Sequence, residues 1–187
     1  MSRFLVVAAT RAEAAYVPAG VEVVLTGMGK THAALETARA LALRDISGLT
    51  VLNVGTAGAL RDGLAGLFVP GTVLNHDLSA EALRALGADP EDVLEVPGGD
   101  GSVLASGDVF VTDPVLRAAL AQRAHLVDME GYAVALACSR FGVPAELVKH
   151  VSDNADETAV AWPSLVEASA RVLGAWVEER LERGSEV

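Results

Sequence analysis

Residues 127–156, VDMEGYAVALACSRFGVPAELVKHVSDNAD, carry a strand, a helix and a second strand, with an acidic residue at the end of each strand. The preceding His125 joins a short apolar run, HLVDM, which gives way to a helical pattern with Met129, Ala133, Leu136, Ala137 and Phe141 on one face. Gly142-Val143-Pro144 should stop that helix, because glycine accepts a left-handed conformation and the residue before proline is pushed out of the helical region. AELVKHV then reads as the next strand, and Ser152-Asp153-Asn154 as the loop that leaves it. In a parallel sheet, such a β-α-β unit places both strand ends on one edge, where open α/β proteins bind ligands. Glu130 and Asp153 would then point into the same crevice. Each also has a plainer reading: Glu130 in a first helical turn is stabilised by the helix dipole, and Asp153 before Asn154 can close an Asx turn.

The rest of the chain bounds what that crevice can serve. With 187 residues and no Pro/Ser-rich linker or charge block, residues 1–187 read as one domain with one sizeable core. A hydrophobic fraction of 51% with only 4% aromatics suits buried parallel strands under Ala-rich helices. The formal charge of −11 argues against nucleic acid as a partner, since phosphate-backbone binding needs clustered Lys and Arg. Cys138 is the only cysteine, which excludes an internal disulfide and a cysteine-rich zinc site and reads as a small buried hydrophobe. The start, MSRFLVVAATRAEAA, lacks a signal-peptide cleavage pattern and no stretch reaches membrane-spanning length, so a soluble cytoplasmic protein without a membrane partner is expected.

Along the chain, Phe4 to Ala8 reads as a strand, and Thr10 as the cap of a short helix that holds Glu13 and ends before Pro18. Val21 to Leu25 follows as a strand, then Gly27-Met28-Gly29-Lys30 and an Ala-rich helix over Thr31 to Arg44. The next strand, Thr50 to Val54, should run into a loop, Gly55-Thr56-Ala57-Gly58. Pro70 to Asn75 is expected as a strand, Ser79 to Leu86 as a short helix, and Ala88 to Asp100 as a polar excursion. Val103 to Ala105 reads as a strand and Asp113-Pro114 as a helix start, where proline fits the first turn. A terminal amphipathic helix from Pro163 to Arg183 should bury Leu165, Val166, Val172, Leu173, Trp176 and Val177.

Taken singly, the motifs are weak. Gly27-Met28-Gly29-Lys30-Thr31 follows a strand as a phosphate-binding loop does, but the glycine that pattern needs five residues before the Gly-Lys pair is Val24. Its backbone amides could still face a ligand at a helix start, or the segment could be a plain tight turn. Asn53-Val54-Gly55-Thr56-Ala57-Gly58 lacks the spacing of dinucleotide binders. Asp153-Asn154-Ala155-Asp156-Glu157 lacks the calcium-loop pattern, and no metal is expected. His32, His76, His125 and His150 show no ligand spacing, although His150 lies three residues before Asp153.

In order along the chain, however, a first strand followed by an acidic helix, G-M-G-K, N-V-G-T-A-G, S-G-D-V-F-V, V-D-M-E-G and H-V-S-D-N-A-D resemble the purine nucleoside phosphorylase and uridine phosphorylase superfamily. The likeness is greatest to its 5′-methylthioadenosine/S-adenosylhomocysteine nucleosidase branch. The resemblance implies a three-layer α/β/α fold with a mixed central sheet, a nucleoside cleft, no organic cofactor or metal, and a homodimer or higher homo-oligomer. It also implies roles. Asp153 would be the acid that serves the purine N7, supported by Ser152. Glu130 would hold the ribose hydroxyls beside Met129, and Glu13 would position or deprotonate the attacking water. Phe110 would stack on the base with the Val111 backbone at the base edge, and Thr56, Ala57 and Gly58 would form the loop under the sugar.

The chemistry accounts for these residue types. Breaking an N-glycosidic bond builds positive charge on the ribose and negative charge on the departing purine, so protonation at N7 improves the leaving group. Asp153 would have to supply or share that proton, which requires desolvation or a hydrogen bond that favours its neutral form. An anionic Glu130 interacts more strongly with an oxocarbenium-like sugar than with the ground state, and so accelerates chemistry. Glu13 would act from the opposite face, the division of labour seen between carboxylates in inverting glycoside hydrolysis. The phosphorylase pattern places an arginine where this chain has Asn53, so water is favoured as acceptor unless the fold brings Arg61 or Lys30 to the site. The expected activity is hydrolysis of a purine nucleoside such as methylthioadenosine, adenosylhomocysteine or futalosine. The alternatives are a phosphate-dependent phosphorylase and a non-catalytic nucleoside-binding protein on the same fold. Two departures from the resemblance bear on the site: the segment between His76 and Gly101 is short for the branch, and Lys149-His150 replaces an arginine followed by a small residue.

Overall fold

The computed structural model describes residues 3–185. Its elements run β1 (Arg3–Ala8), β2 (Val23–Leu25), α1 (Lys30–Ala42), β3 (Leu49–Ala59), β4 (Leu67–Phe68), β5 (Thr72–Asn75), α2 (Ala80–Ala85), β6 (Val93–Glu95), β7 (Val103–Ser106), α3 (Pro114–Ala121), β8 (Leu126–Asp128), α4 (Gly131–Phe141), β9 (Ala145–Asp153), a 3₁₀ turn (Glu157–Ala161) and α5 (Trp162–Ser185). The strands form one mixed sheet in the order β2-β1-β3-β8-β7-β5-β6, with β9 pairing β3 and β4 pairing β9. No helix among the described residues is long and apolar enough to cross a membrane.

Strand alternation builds the three layers. Successive side chains point to opposite faces of a strand. Leu5 and Val7 of β1 and Leu49 and Val51 of β3 therefore pack with Ala33 and Leu41 of α1 and Ala133, Val134 and Cys138 of α4. Val6, Ala8, Leu52 and Val54 face the other way, onto Leu173 and Val177 of α5. The α/β/α expectation holds.

Several local expectations do not. Residues 11–16 form turns rather than a helix, although the Thr10–Glu13 capping pair is present: Thr10 N–H donates to Glu13 Oε2 at 3.1 Å and Glu13 N–H to Thr10 Oγ1 at 3.3 Å. Beyond that cap, Ala15 N–H reaches only back to Ala12 O and Val17 N–H to Ala14 O, and Pro18 leaves no length over which a helix could propagate. The 88–100 excursion contains β6, whose exposure alternates along Val93-Leu94-Glu95 although its sequence does not, because the apolar Val93 points to solvent. In α5, Val166, Leu173 and Val177 are buried, but Leu165 and Val172 are each 39% exposed because they sit one step off a narrow stripe.

Two corrections matter for the site. Gly55-Thr56-Ala57-Gly58 is not a loop but the second half of β3, and Ser152-Asp153 is the end of β9 rather than its exit. The glycines serve close approach, not turning. A Cβ on Gly55 would lie 3.2 Å from Glu13 Oε1 and 3.3 Å from Lys149 Nζ, and one on Gly58 only 2.8 Å from Ala155 Cβ and 3.0 Å from Asp153 Oδ1. The β8-α4-β9 unit is also not a parallel one. β9 runs parallel to β3, whereas β8 runs antiparallel to it through Gly58↔Val127 and Ala59↔Leu126. Gly58 therefore has Val127 on one edge and Asp153 on the other, next to a register break between Ala57 and Gly58. Glu130 and Asp153 meet across β3, not along a shared sheet edge.

Candidate active site

A cavity of about 500 Å³ opens over the second half of β3. Glu13, Thr56, Ala57, Gly58, Phe110, Val111, Met129, Glu130, Ser152 and Asp153 all line it, so the structure brings every sequence-predicted site residue to one hollow. Ala9, Met28, Val109, Val127, Asp128, Ala155, Ala159, Val160 and Trp162 complete the lining.

Glu13 is buried at the end of its turn, and four donors hold it. Oε2 accepts from Thr10 N–H and Oγ1, at 3.1 and 2.9 Å, and Oε1 accepts from Thr56 N–H and Oγ1, at 2.9 and 3.0 Å. The first pair ties it to its own turn and the second to β3.

Glu130 stands at the N-cap of α4 but does not cap it. Gly131 N–H donates instead to Asp128 Oδ2 at 2.9 Å, and Tyr132 N–H to Ser106 Oγ at 2.9 Å. The plainer dipole reading therefore leaves the Glu130 side chain unexplained. Its Oε1 reaches a different helix and accepts Gly29 N–H at 2.8 Å, while Asp108 Oδ1 accepts Lys30 N–H at 2.7 Å. Two orphan amides at the start of α1, the ones a phosphate could have used, are thus already taken by carboxylates. Gly27 and Gly29 make this approach possible with φ of 83° and 92°. Burial, and then the nearby Asp128 charge, push the Glu130 carboxyl up to about 7; the Gly29 amide and Lys149 pull the other way.

Asp153 does close the Asx turn: Oδ1 accepts Ala155 N–H at 2.8 Å, and Ala155 takes a φ of 51°. Its other oxygen, Oδ2, accepts the Ser152 hydroxyl at 2.7 Å. A carboxylate has about four acceptor positions, so both oxygens retain capacity for a ligand.

Lys149 lies beneath these groups. Its ammonium is 2.9 Å from Asp128 Oδ2 and donates to Asn53 Oδ1 at 2.9 Å, with the Lys149 and Asp128 side chains 2% and 1% exposed. Ser106 Oγ donates to the remaining Asp128 oxygen. Lys149 thus ties β9 to β8 through a buried ion pair rather than holding Asp153. Losing one partner of such a pair costs about 3–5 kcal/mol. The sequence carried a signal for this, a lysine inside the apolar run of ELVKHV, but not the identity of its partner.

Other candidates lie elsewhere. Lys30 Nζ is engaged by Asn75 Oδ1 at 2.6 Å and by Asp77, and Arg61 Nε by Ala121 O at 3.1 Å, so neither reaches the cavity. His150 pairs through Nδ1 with Ser169 Oγ of α5 at 2.9 Å. Cys138 is buried in the α1–α4 layer, which pushes its thiol up to about 12. Trp162, which sequence reasoning passed over, reaches in from the start of α5 and donates its indole N–H to Thr56 Oγ1 at 2.8 Å.

A mixed-sheet α/β protein with a carboxylate-lined cavity beneath a half-exposed aromatic has the architecture of nucleoside-cleaving enzymes, and this chain belongs to the Phosphorylase superfamily, which residues 69–177 match. Among relatives, it is 30% identical to an aminodeoxyfutalosine nucleosidase of Helicobacter pylori over 179 residues, covering 83% of this chain and 77% of the relative. It is 29% identical to a 5′-methylthioadenosine/S-adenosylhomocysteine nucleosidase of a Shewanella species over 166 residues, covering 74% and 71%. An Asp-to-Asn mutant of Helicobacter pylori MTAN with 5′-methylthioadenosine in the active site superposes with a TM-score of 0.85 at 26% identity, over 98% of this chain and 99% of that one. The native futalosine hydrolase of the same organism gives 0.83 at 26% identity, over 97% and 98%. The relatives support a function within the nucleoside phosphorylase and nucleosidase family.

Proposed function

We propose that this protein is a purine nucleoside N-ribosylhydrolase acting on methylthioadenosine, adenosylhomocysteine, futalosine or a related nucleoside, and releasing free base and free sugar. The observation that carries the reading is the placement of Glu13, Glu130 and Asp153 around one stretch of β3. Glu13 is bonded to Thr56, Asp153 flanks Gly58 from β9, and Glu130 follows β8, which flanks Gly58 from the other edge.

In this mechanism Thr56, Ala57 and Gly58 lie under the sugar. Phe110 stacks on the purine, with the Val111 backbone at its edge. Asp153, supported by Ser152, shares a proton with N7 as the bond to the ribose breaks. Glu130, beside Met129, accepts hydrogen bonds from the ribose hydroxyls. A buried carboxylate costs free energy to ionise, and that cost is offset when positive charge develops on the sugar. Glu13 positions or deprotonates the attacking water on the opposite face.

Water is the favoured acceptor for an electrostatic reason. The cavity lining includes Glu13, Asp128, Glu130 and Asp153 and, among the described residues, no Lys or Arg. A phosphate dianion would meet like charges there without a cation to hold it. The same reading makes the protein a cytoplasmic homo-oligomer, which sedimentation would check. The deciding assay measures free base and free sugar across a panel of purine nucleosides, with and without phosphate. Hydrolysis independent of phosphate is expected, and strict phosphate dependence with a sugar phosphate product would defeat the assignment.

A further inference from the structure

Four hydrogen bonds converge on Glu13, and one of the donors is itself oriented by a residue from a distant element. Thr56 Oγ1 lies 3.0 Å from Glu13 Oε1 and 2.8 Å from Trp162 Nε1. A hydroxyl has a single proton, while an indole N–H can only donate. The Trp162 bond therefore occupies an acceptor position on Thr56 Oγ1 and leaves the threonine proton to be directed at Glu13. Without that indole, the hydroxyl is free to turn its proton toward the cavity and away from Glu13.

We propose that Trp162 is a positioning residue for Glu13: through Thr56 it keeps the hydroxyl proton on Glu13 Oε1, so that the carboxylate is held in place at the cavity wall, where it orients the attacking water. The proposal rests on the hydrolytic reading above, in which Glu13 positions or deprotonates the attacking water. Trp162 also lines the cavity as a ring. A wall alone would need only the ring, whereas the positioning role needs the N–H.

Trp162→Phe separates the two, because it keeps an aromatic wall and removes the donor. On whichever nucleoside the unmutated protein hydrolyses, kcat should fall about tenfold while KM stays within about twofold, the scale expected for one lost hydrogen bond that matters in the transition state. Thr56→Val should lower kcat by at least as much. The double variant should be no worse than the poorer single one, since both changes cut the same relay. Melting curves establish that the variants fold. A second measurement is independent of turnover: of the two tryptophan indole N–H proton resonances, Thr56→Val should move that of Trp162 and leave that of Trp176 in place. An unchanged kcat in Trp162→Phe, a loss confined to KM, losses that multiply in the double variant, or an unmoved Trp162 resonance would each overturn the proposal while leaving the hydrolase reading intact. If the unmutated protein releases no base from any nucleoside, that reading fails and takes this proposal with it.

Discussion

Glu130 offers the most direct test of the site's electrostatics, because its effect can be read from folding alone. The side chain belongs to a residue only 9% exposed, and its carboxyl holds a proton up to about 7 rather than the usual 4.5, chiefly through burial and then through the Asp128 charge. At about 1.36 kcal/mol for each pH unit, ionising it in the folded protein costs about 3 kcal/mol more than in the unfolded chain. Since the folded state binds the proton more tightly, this group's contribution to stability is fully present below pH 4.5 and is lost as the pH rises through about 7. Glu130→Gln removes the titration and keeps an oxygen that can accept the Gly29 amide. The variant should match the parent at pH 5 and exceed it at pH 8. Allowing for the weaker neutral hydrogen bond, the gain should be about 2 kcal/mol, or about 4–8 °C in Tm for a domain of this size. Thermal and urea melts at the two pH values measure it. A variant that tracks the parent at both, or that is less stable at pH 8, would refute the argument that burial dominates this carboxyl.

The same ionisation should appear in catalysis: if anionic Glu130 stabilises the sugar cation, kcat/KM should climb with pH through about 7, and a profile flat from pH 5 to 8 would exclude it. Asp153→Asn should lower kcat by about a hundredfold or more with a much smaller change in ligand affinity, as calorimetry beside steady-state rates would show, because the shared proton matters mainly in the transition state. Glu13→Gln should likewise depress hydrolysis while leaving nucleoside binding near that of the parent; unchanged turnover would remove it from the mechanism. Gly58→Ala should damage the site without abolishing the fold, because its Cβ would lie 2.8 Å from Ala155 Cβ and 3.0 Å from Asp153 Oδ1. A stability loss of about 1–3 kcal/mol and a larger loss of activity than of Tm are expected, and wild-type rates would show that Asp153 needs no such close support.

What the sequence determined by itself is local and compositional. The apolar runs of β1, β3, β7 and β9, the alanine-rich α1, the proline start of α3 and the Gly142 stop of α4 follow from side-chain periodicity and backbone preference, which act between near neighbours. The candidate residues were legible for a different reason: Glu13, Glu130 and Asp153 stand in ordered motifs whose resemblance to a family points to a shared cleft. Only the tertiary structure decided how they come together. β3 continues through two glycines because β9 and β8 pair with its opposite edges, and neither pairing leaves a trace in β3's own sequence. The helix expected around Glu13 gives way to turns in which that carboxylate is bonded to Thr56, and a lysine inside a strand finds Asp128 across the sheet. Trp162, 106 residues from Thr56 in the chain, reaches the site for the same reason. Hydrogen bonds and ion pairs are satisfied in space, whatever the separation along the chain, so a sequence can supply the groups while only the packed fold chooses their partners.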